Sequence, residues 1–124
     1  MNITWFHREK IGFNAKADVT VSVTKKSKTG RITLRNNLAN EISPDSHYMV
    51  LGVPSEDANV LCFMASKERD GWKASQSKNS DTAVLQFSDE RMLELCARFA
   101  GDYKVDLYED TGTELYCINR RNVL

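Results

Sequence analysis

The stretch VSVTKKSKTGRITL, residues 21–34, decides how the chain is read. Val19, Val21 and Val23 alternate with Thr20, Ser22 and Thr24, a period of two that marks a strand with one buried face. The polar loop KKSKTG closes on Gly30. Ile32 and Leu34 then resume the alternation, with Arg31, Thr33 and Arg35 between and after them. Outward from this hairpin, NNLANEI (36–42) reads as a short helix with Asn36 as its N-cap. Pro44 breaks it, because proline lacks an amide donor and fixes its own φ. HYMVLGV (47–53) and VLCFMA (60–65) read as strands joined by the turn PSEDAN (54–59).

The same order of elements returns in the second half. Trp72 to Ser75 reads as a short strand, SKNSD (77–81) as a polar loop and TAVLQF (82–87) as a strand. A helix over 88–100 has Ser88 as N-cap and acids in its first turn. Met92, Leu95, Cys96 and Phe99 share one face of it, and Gly101 ends it. YKVDLY (103–108) and TELYCI (113–118) are strands about the hairpin loop EDTG (109–112), and the tail NRRNVL is expected to fray. The two halves also match residue by residue. Ser22 and Ser75, Lys25 and Lys78, Ser27 and Ser80, and Thr29 and Thr82 each stand 53 residues apart. Tyr48 and Tyr103, Val50 and Val105, and Cys62 and Cys117 stand 55 apart, so the second helix is longer by two residues.

A unit of about fifty residues does not bury a core alone. The expectation is therefore one domain, 1–124, holding repeat 1 (18–66) and repeat 2 (71–120). It is mainly β with short helices (α+β), two tandem β-β-α-β-β units packed as one pseudo-twofold barrel. Residues 1–17, with Trp5, Phe6, Ile11 and Phe13, are expected to cover this domain as an extra strand or hairpin.

The sequence excludes several classes. There is no apolar run of 18 residues, so no transmembrane helix and no membrane partner are expected. MNITWFHREK has no apolar secretory core. The three cysteines, Cys62, Cys96 and Cys117, have no CxxC spacing and read as packing thiols in a reducing, cytoplasmic setting. His7 and His47 are the only histidines, too few and too distant for a zinc site. No phosphate-cradle, metalloprotease or nucleophile-elbow motif is present. No catalytic residue, metal or cofactor is expected, and the chain reads as a non-enzyme. Glu56-Asp57 and Glu109-Asp110 read as turn formers, and Trp5, Phe6 and Trp72 as caps on the core.

The formal charge is zero, yet it is unevenly spread. Residues 1–40 hold eight basic and two acidic residues, and residues 41–124 hold nine and fifteen. Lys25, Lys26, Lys28, Arg31 and Arg35 place five cations in eleven residues without an acid. Such a cluster suits phosphate oxygens, since each contact releases a condensed counterion. Thr24, Ser27 and Thr29 add hydroxyl donors. A solvated loop that balances an acidic body also accounts for the cluster, and an acidic partner protein, or a second copy of the chain, suits it too.

SKTGRITL, the short helix, SPD and the strand after it together resemble the AbrB/SpoVT/MraZ swapped-hairpin family. Lys28, Gly30, Arg31, Ile32, Thr33, Leu34, Pro44 and Asp45 sit where that family's pattern expects them. The likeness covers about 35 residues directly and the second half through the repeat, an arrangement similar to the MraZ-like members. Arg35 stands where the family usually has proline, and Ser46 alters its Gly-Asp turn. In the second repeat, Asp81, Ala83 and Val84 replace Lys28, Gly30 and Arg31, so the basic loop is kept once. The resemblance implies a swapped-hairpin barrel and a homo-oligomeric, non-enzymatic DNA-binding regulator of transcription. Lys25, Lys26, Lys28, Arg31 and Arg35 would hold double-stranded DNA, with Arg31 reaching for a base edge. The alternative is a protein-interaction or assembly module of phage or mobile-element type, in which the fold is retained without the DNA surface.

Overall fold

Alternating valines and threonines build the first sheet as their spacing predicts. In the computed structural model, which describes residues 17–35, 48–66, 71–76, 82–110 and 113–124, β1 (Val19–Thr24) and β2 (Thr29–Leu34) form an antiparallel hairpin. Val19, Val21, Ile32 and Leu34 point into the core, and Ser22 and Arg31 point to solvent. The remaining strands among the described residues are β3 (Tyr48–Gly52), β4 (Val60–Ser66), β5 (Ser75–Gln76), β6 (Ala83–Phe87), β7 (Gly101–Tyr103), β8 (Asp106–Asp110) and β9 (Thr113–Asn119). One helix, α1 (Glu90–Phe99), joins β6 to β7, and a 3-10 turn, Arg120–Asn122, follows β9. The protein is thus mainly β, with one short α-helix among the described residues. The helix expected over 36–42 and the covering segment 1–17, except Ala17, lie outside them.

The strands form two antiparallel sheets, ordered β5-β6-β2-β1-β7 and β3-β4-β9-β8. Each sheet has a central pair that joins the two halves of the chain. In the first, β2 pairs with β6 and Ile32 faces Leu85. In the second, β4 pairs with β9 and Cys62 faces Cys117. The flanking hairpin registers are also related. Ser22 faces Arg31 in β1–β2, and Ser75 faces Val84 in β5–β6. In the second sheet Gly52 faces Cys62, and Asp106 faces Cys117. The sheets touch at two seams. Met49 and Trp72 exchange both backbone hydrogen bonds, at 2.7 and 2.8 Å. At the other seam, β7 of the first sheet runs through Lys104 and Val105 into β8 of the second.

Buried side chains of both sheets and of α1 form one apolar cluster, with Ile32, Leu85, Phe63, Ile118, Phe99 and Tyr103 among its largest members. Phe63 and Tyr116, opposite each other on β4 and β9, stack at 6.1 Å between ring centroids. The Tyr103 hydroxyl donates to the Phe99 carbonyl at 2.7 Å, so this buried phenol satisfies the end of α1. Helix α1 presses on the β1–β2 hairpin at Gly30. A Cβ there would stand 2.9 Å from Cys96 Sγ, so the glycine of the basic stretch serves close helix-on-sheet packing.

Several boundaries differ from the expected ones for physical reasons. The N-cap of α1 is Asp89, not Ser88. Phe87 is still buried in the sheet opposite Gly30, and the chain needs Ser88 to turn out of it. The single strand expected over 103–108 is two, because the chain changes sheets there. At the break, the Asp18 carboxylate accepts the Val105 amide at 3.2 Å, and Lys104 Nζ lies 4.0 Å from it. The short strand expected from Trp72 to Ser75 contracts to the Trp72 bridge and the two residues of β5. The tail is anchored rather than frayed. Asn119 accepts the Arg121 amide at 3.0 Å, Arg121 pairs with Asp57 at 2.8 Å, and the Leu124 amide donates to the Asp102 carbonyl at 2.8 Å. Gly101, at φ 145°, permits the tail's approach, for a Cβ there would meet Val123 at 2.6 Å.

Candidate nucleic-acid interface

The β1–β2 connection turns through Lys25, Lys26, Ser27 and Lys28, closed by the pair Thr24 and Thr29. All three lysines are exposed. Lys28 has φ 50°, the left-handed conformation that a four-residue hairpin turn needs near its end. Thr29 Oγ1 donates to the Ser27 carbonyl at 3.2 Å and fixes the exit from the turn. The turn therefore presents three cations to solvent.

Arg31 adds a fourth along β2. Alternation places it on the outer face, opposite Ser22 of β1 and Gln86 of β6. These three exposed residues form a polar row across the sheet. Strands β1, β2, β5 and β6 contain no acidic residue. Hydroxyl and amide groups around a guanidinium, with no carboxylate among them, make a surface suited to phosphate oxygens and base edges.

Arg35 stands apart. It follows β2 at the end remote from the turn, roughly 23 Å from Lys28 by strand rise. It is half-buried, and its Nη1 donates to Thr20 Oγ1, which in turn donates to Asp102 Oδ1 at 2.5 Å. Its guanidinium is thus held by Thr20, whose own hydroxyl is tied to the one carboxylate of β7. Of the five expected cations, the fold brings together four, Lys25, Lys26, Lys28 and Arg31, and engages the fifth elsewhere. Sequence spacing did not separate them, since Thr20, which takes the guanidinium, is itself fixed by Asp102 on a strand from the other half.

Two of the other singled-out residues, Asp57 and Trp72, have local roles. Asp57 accepts the Asn59 amide at 3.0 Å, and Arg121 holds its carboxyl below the ordinary carboxylate range. It is a turn former tied to the tail. Trp72 packs edge-on against Phe87, 5.2 Å between centroids, while 36% of its surface stays exposed. It caps the core at the rim of an open groove of about 380 Å³, lined also by Leu51, Val53, Leu61, Met92 and Leu95. This groove had no signature in the sequence, because its walls come from β3, β4 and α1. No helix among the described residues is long and apolar enough to cross a membrane. The chain matches no protein-family model, no curated protein sequence and no solved structure.

Proposed function

We propose that the chain is a tandem duplication folded as a swapped-hairpin barrel, and that it is a non-enzymatic DNA-binding regulator. Three registers support the duplication. Ile32 and Leu85, separated by the repeat spacing of 53, face each other in one central ladder. Cys62 and Cys117, separated by 55, face each other in the other. Ser22–Arg31 and Ser75–Val84 are the same pair one repeat apart. A twofold axis through both central pairs relates the halves, and the outer β3–β4 and β8–β9 hairpins differ by a single residue of register. The Met49–Trp72 bridge and the run from β7 into β8 close the two sheets into a barrel in this reading.

The observation that carries the functional reading is the turn Lys25–Lys28 with Arg31 beside it, four exposed cations at the end of a sheet whose strands β1, β2, β5 and β6 carry no acid. Lys25, Lys26 and Lys28 hold phosphates, and Arg31 reaches a base edge. The test is fluorescence anisotropy on a random duplex and on a pool enriched for binders, at several salt concentrations. Lys26→Glu, Lys28→Glu and Arg31→Glu together abolish binding and leave the fold intact. If Lys25, Lys26 and Lys28 each neutralise one phosphate, the logarithm of affinity of the wild type falls with the logarithm of salt with a slope of roughly −2.7 per chain. Equal binding by wild type and triple variant, or none by either at low salt, overturns the reading.

A second reading, a protein-interaction module, is favoured by the groove at Trp72. Val53 and Trp72 leave more than a third of their surfaces exposed at its rim. Failure of the DNA test moves this reading to first place.

A further inference from the structure

The central pair of the four-stranded sheet is a dithiol. Cys62 on β4 and Cys117 on β9 are direct cross-strand partners, and their Sγ atoms lie 2.9 Å apart. Opposed residues of antiparallel strands have Cα atoms about 4.5–5.5 Å apart, inside the range that disulfides span. The sulfurs therefore need to close by only about 0.9 Å to reach a bond of about 2.05 Å. The two thiols differ in access. Cys117 is buried, whereas Cys62 is half-buried and lines a shallow cavity of about 160 Å³ with Val50, Phe63, Met64 and Leu115. Cys96, the third cysteine, is buried beneath α1 against Gly30.

We propose that Cys62 and Cys117 form a reversible cross-strand disulfide, a redox staple between the two halves of the chain. The oxidant is a small-molecule disulfide such as glutathione disulfide. The Cys62 thiolate, its proton given to solvent, attacks one sulfur of the oxidant, forms a mixed disulfide and expels one glutathione thiolate. Cys117 then loses its proton to solvent and attacks Cys62 Sγ, expelling the second. Two protein thiols are oxidised to one disulfide, and one glutathione disulfide is reduced to two glutathiones. Burial pushes the Cys117 thiol above its ordinary value, so the second step is the slow one and quickens with rising pH. The staple is independent of nucleic-acid binding.

The experiment incubates the folded chain with glutathione disulfide at pH 7 to 9, then unfolds it, alkylates it and weighs it. The expected result is the loss of two of three alkylatable thiols in a monomeric chain. Peptide mapping then finds Cys62 joined to Cys117 and Cys96 alkylated, and dithiothreitol restores all three. Oxidation also raises the melting temperature of the wild type and leaves that of Cys117→Ser unchanged. Three thiols still alkylated, a glutathione adduct persisting on Cys62 beside a free Cys117, or disulfide-linked dimers would each overturn the staple. The wild-type chain alone decides these outcomes, whatever the folding of the variant.

Discussion

Lys28 holds a backbone conformation in which an L side chain crowds the following carbonyl, and glycine or asparagine would hold it at less cost. Lys28→Gly is therefore expected to stabilise the fold by about 0.5–1 kcal/mol, the relief of strain less the added freedom of the unfolded chain. The same change removes one cation from the turn. Urea denaturation and anisotropy on one preparation read both effects, and the expected outcome is a more stable protein that binds duplex DNA less well. Burial pushes the Cys96 thiol up to about 11, helped by the charge of Asp89. The fold thus holds this thiol protonated. Its contribution is complete below the ordinary thiol value near 9 and is lost as pH rises through about 11, because the unfolded chain gives up the proton first. A two-unit displacement corresponds to at most about 2.7 kcal/mol. Urea midpoints measured from pH 8 to 11 should fall, and Cys96→Ala should flatten that fall.

Among the elements, α1 shows how burial is divided along one face. Met92, Cys96 and Phe99 are buried, while Leu95, at the same helical spacing, is half-buried at the wall of the Trp72 groove. Phe99→Ala should cost about 3–5 kcal/mol and Leu95→Ala clearly less, both read by chemical denaturation. A loss at Leu95 as large as at Phe99 would mean that the groove is closed in solution. The apolar face of α1 was legible in the sequence, and so were the strands around Val21, Ile32, Val50, Leu61 and Leu85, because period alone marks a buried face. What period does not mark is where a strand changes partners. The run YKVDLY alternates without interruption, yet the Asp18 carboxylate, far away in sequence, takes the Val105 amide and divides it. The tail misled for a similar reason. NRRNVL looks like a polar end until Asp57 and the Asp102 carbonyl, contributed by other segments, are placed beside it. The site was legible to the same degree. Consecutive lysines belong to one turn by necessity, whereas Arg35 is taken up by Thr20 of the paired strand, itself bonded to Asp102 from the other half.

Across the whole molecule, the excess of cations in residues 1–40 and of acids in the remainder becomes a question of which cations the fold leaves uncommitted. Lys25, Lys26, Lys28 and Arg31 are exposed at one end and on the outer face of the five-stranded sheet, whereas Arg35 is half-buried and linked through Thr20 to Asp102. Two substitutions of equal charge should therefore behave differently. Lys28→Ala should weaken binding to every duplex and make the salt slope shallower by about 0.9, the share of one phosphate. Arg35→Ala should leave that slope unchanged. It should instead cost about 1–2 kcal/mol of stability, since it leaves the Thr20–Asp102 hydrogen bond without its cationic donor in a half-buried place. The slope of affinity against salt for the two variants, set beside their urea midpoints, separates a cation that meets the ligand from one that holds β1 and β7 together. Equal slope changes would mean that Arg35 leaves Thr20 when DNA binds and that the interface runs the full length of β2. An Arg35→Ala variant as stable as wild type would mean that the Thr20–Asp102 pair does not depend on it.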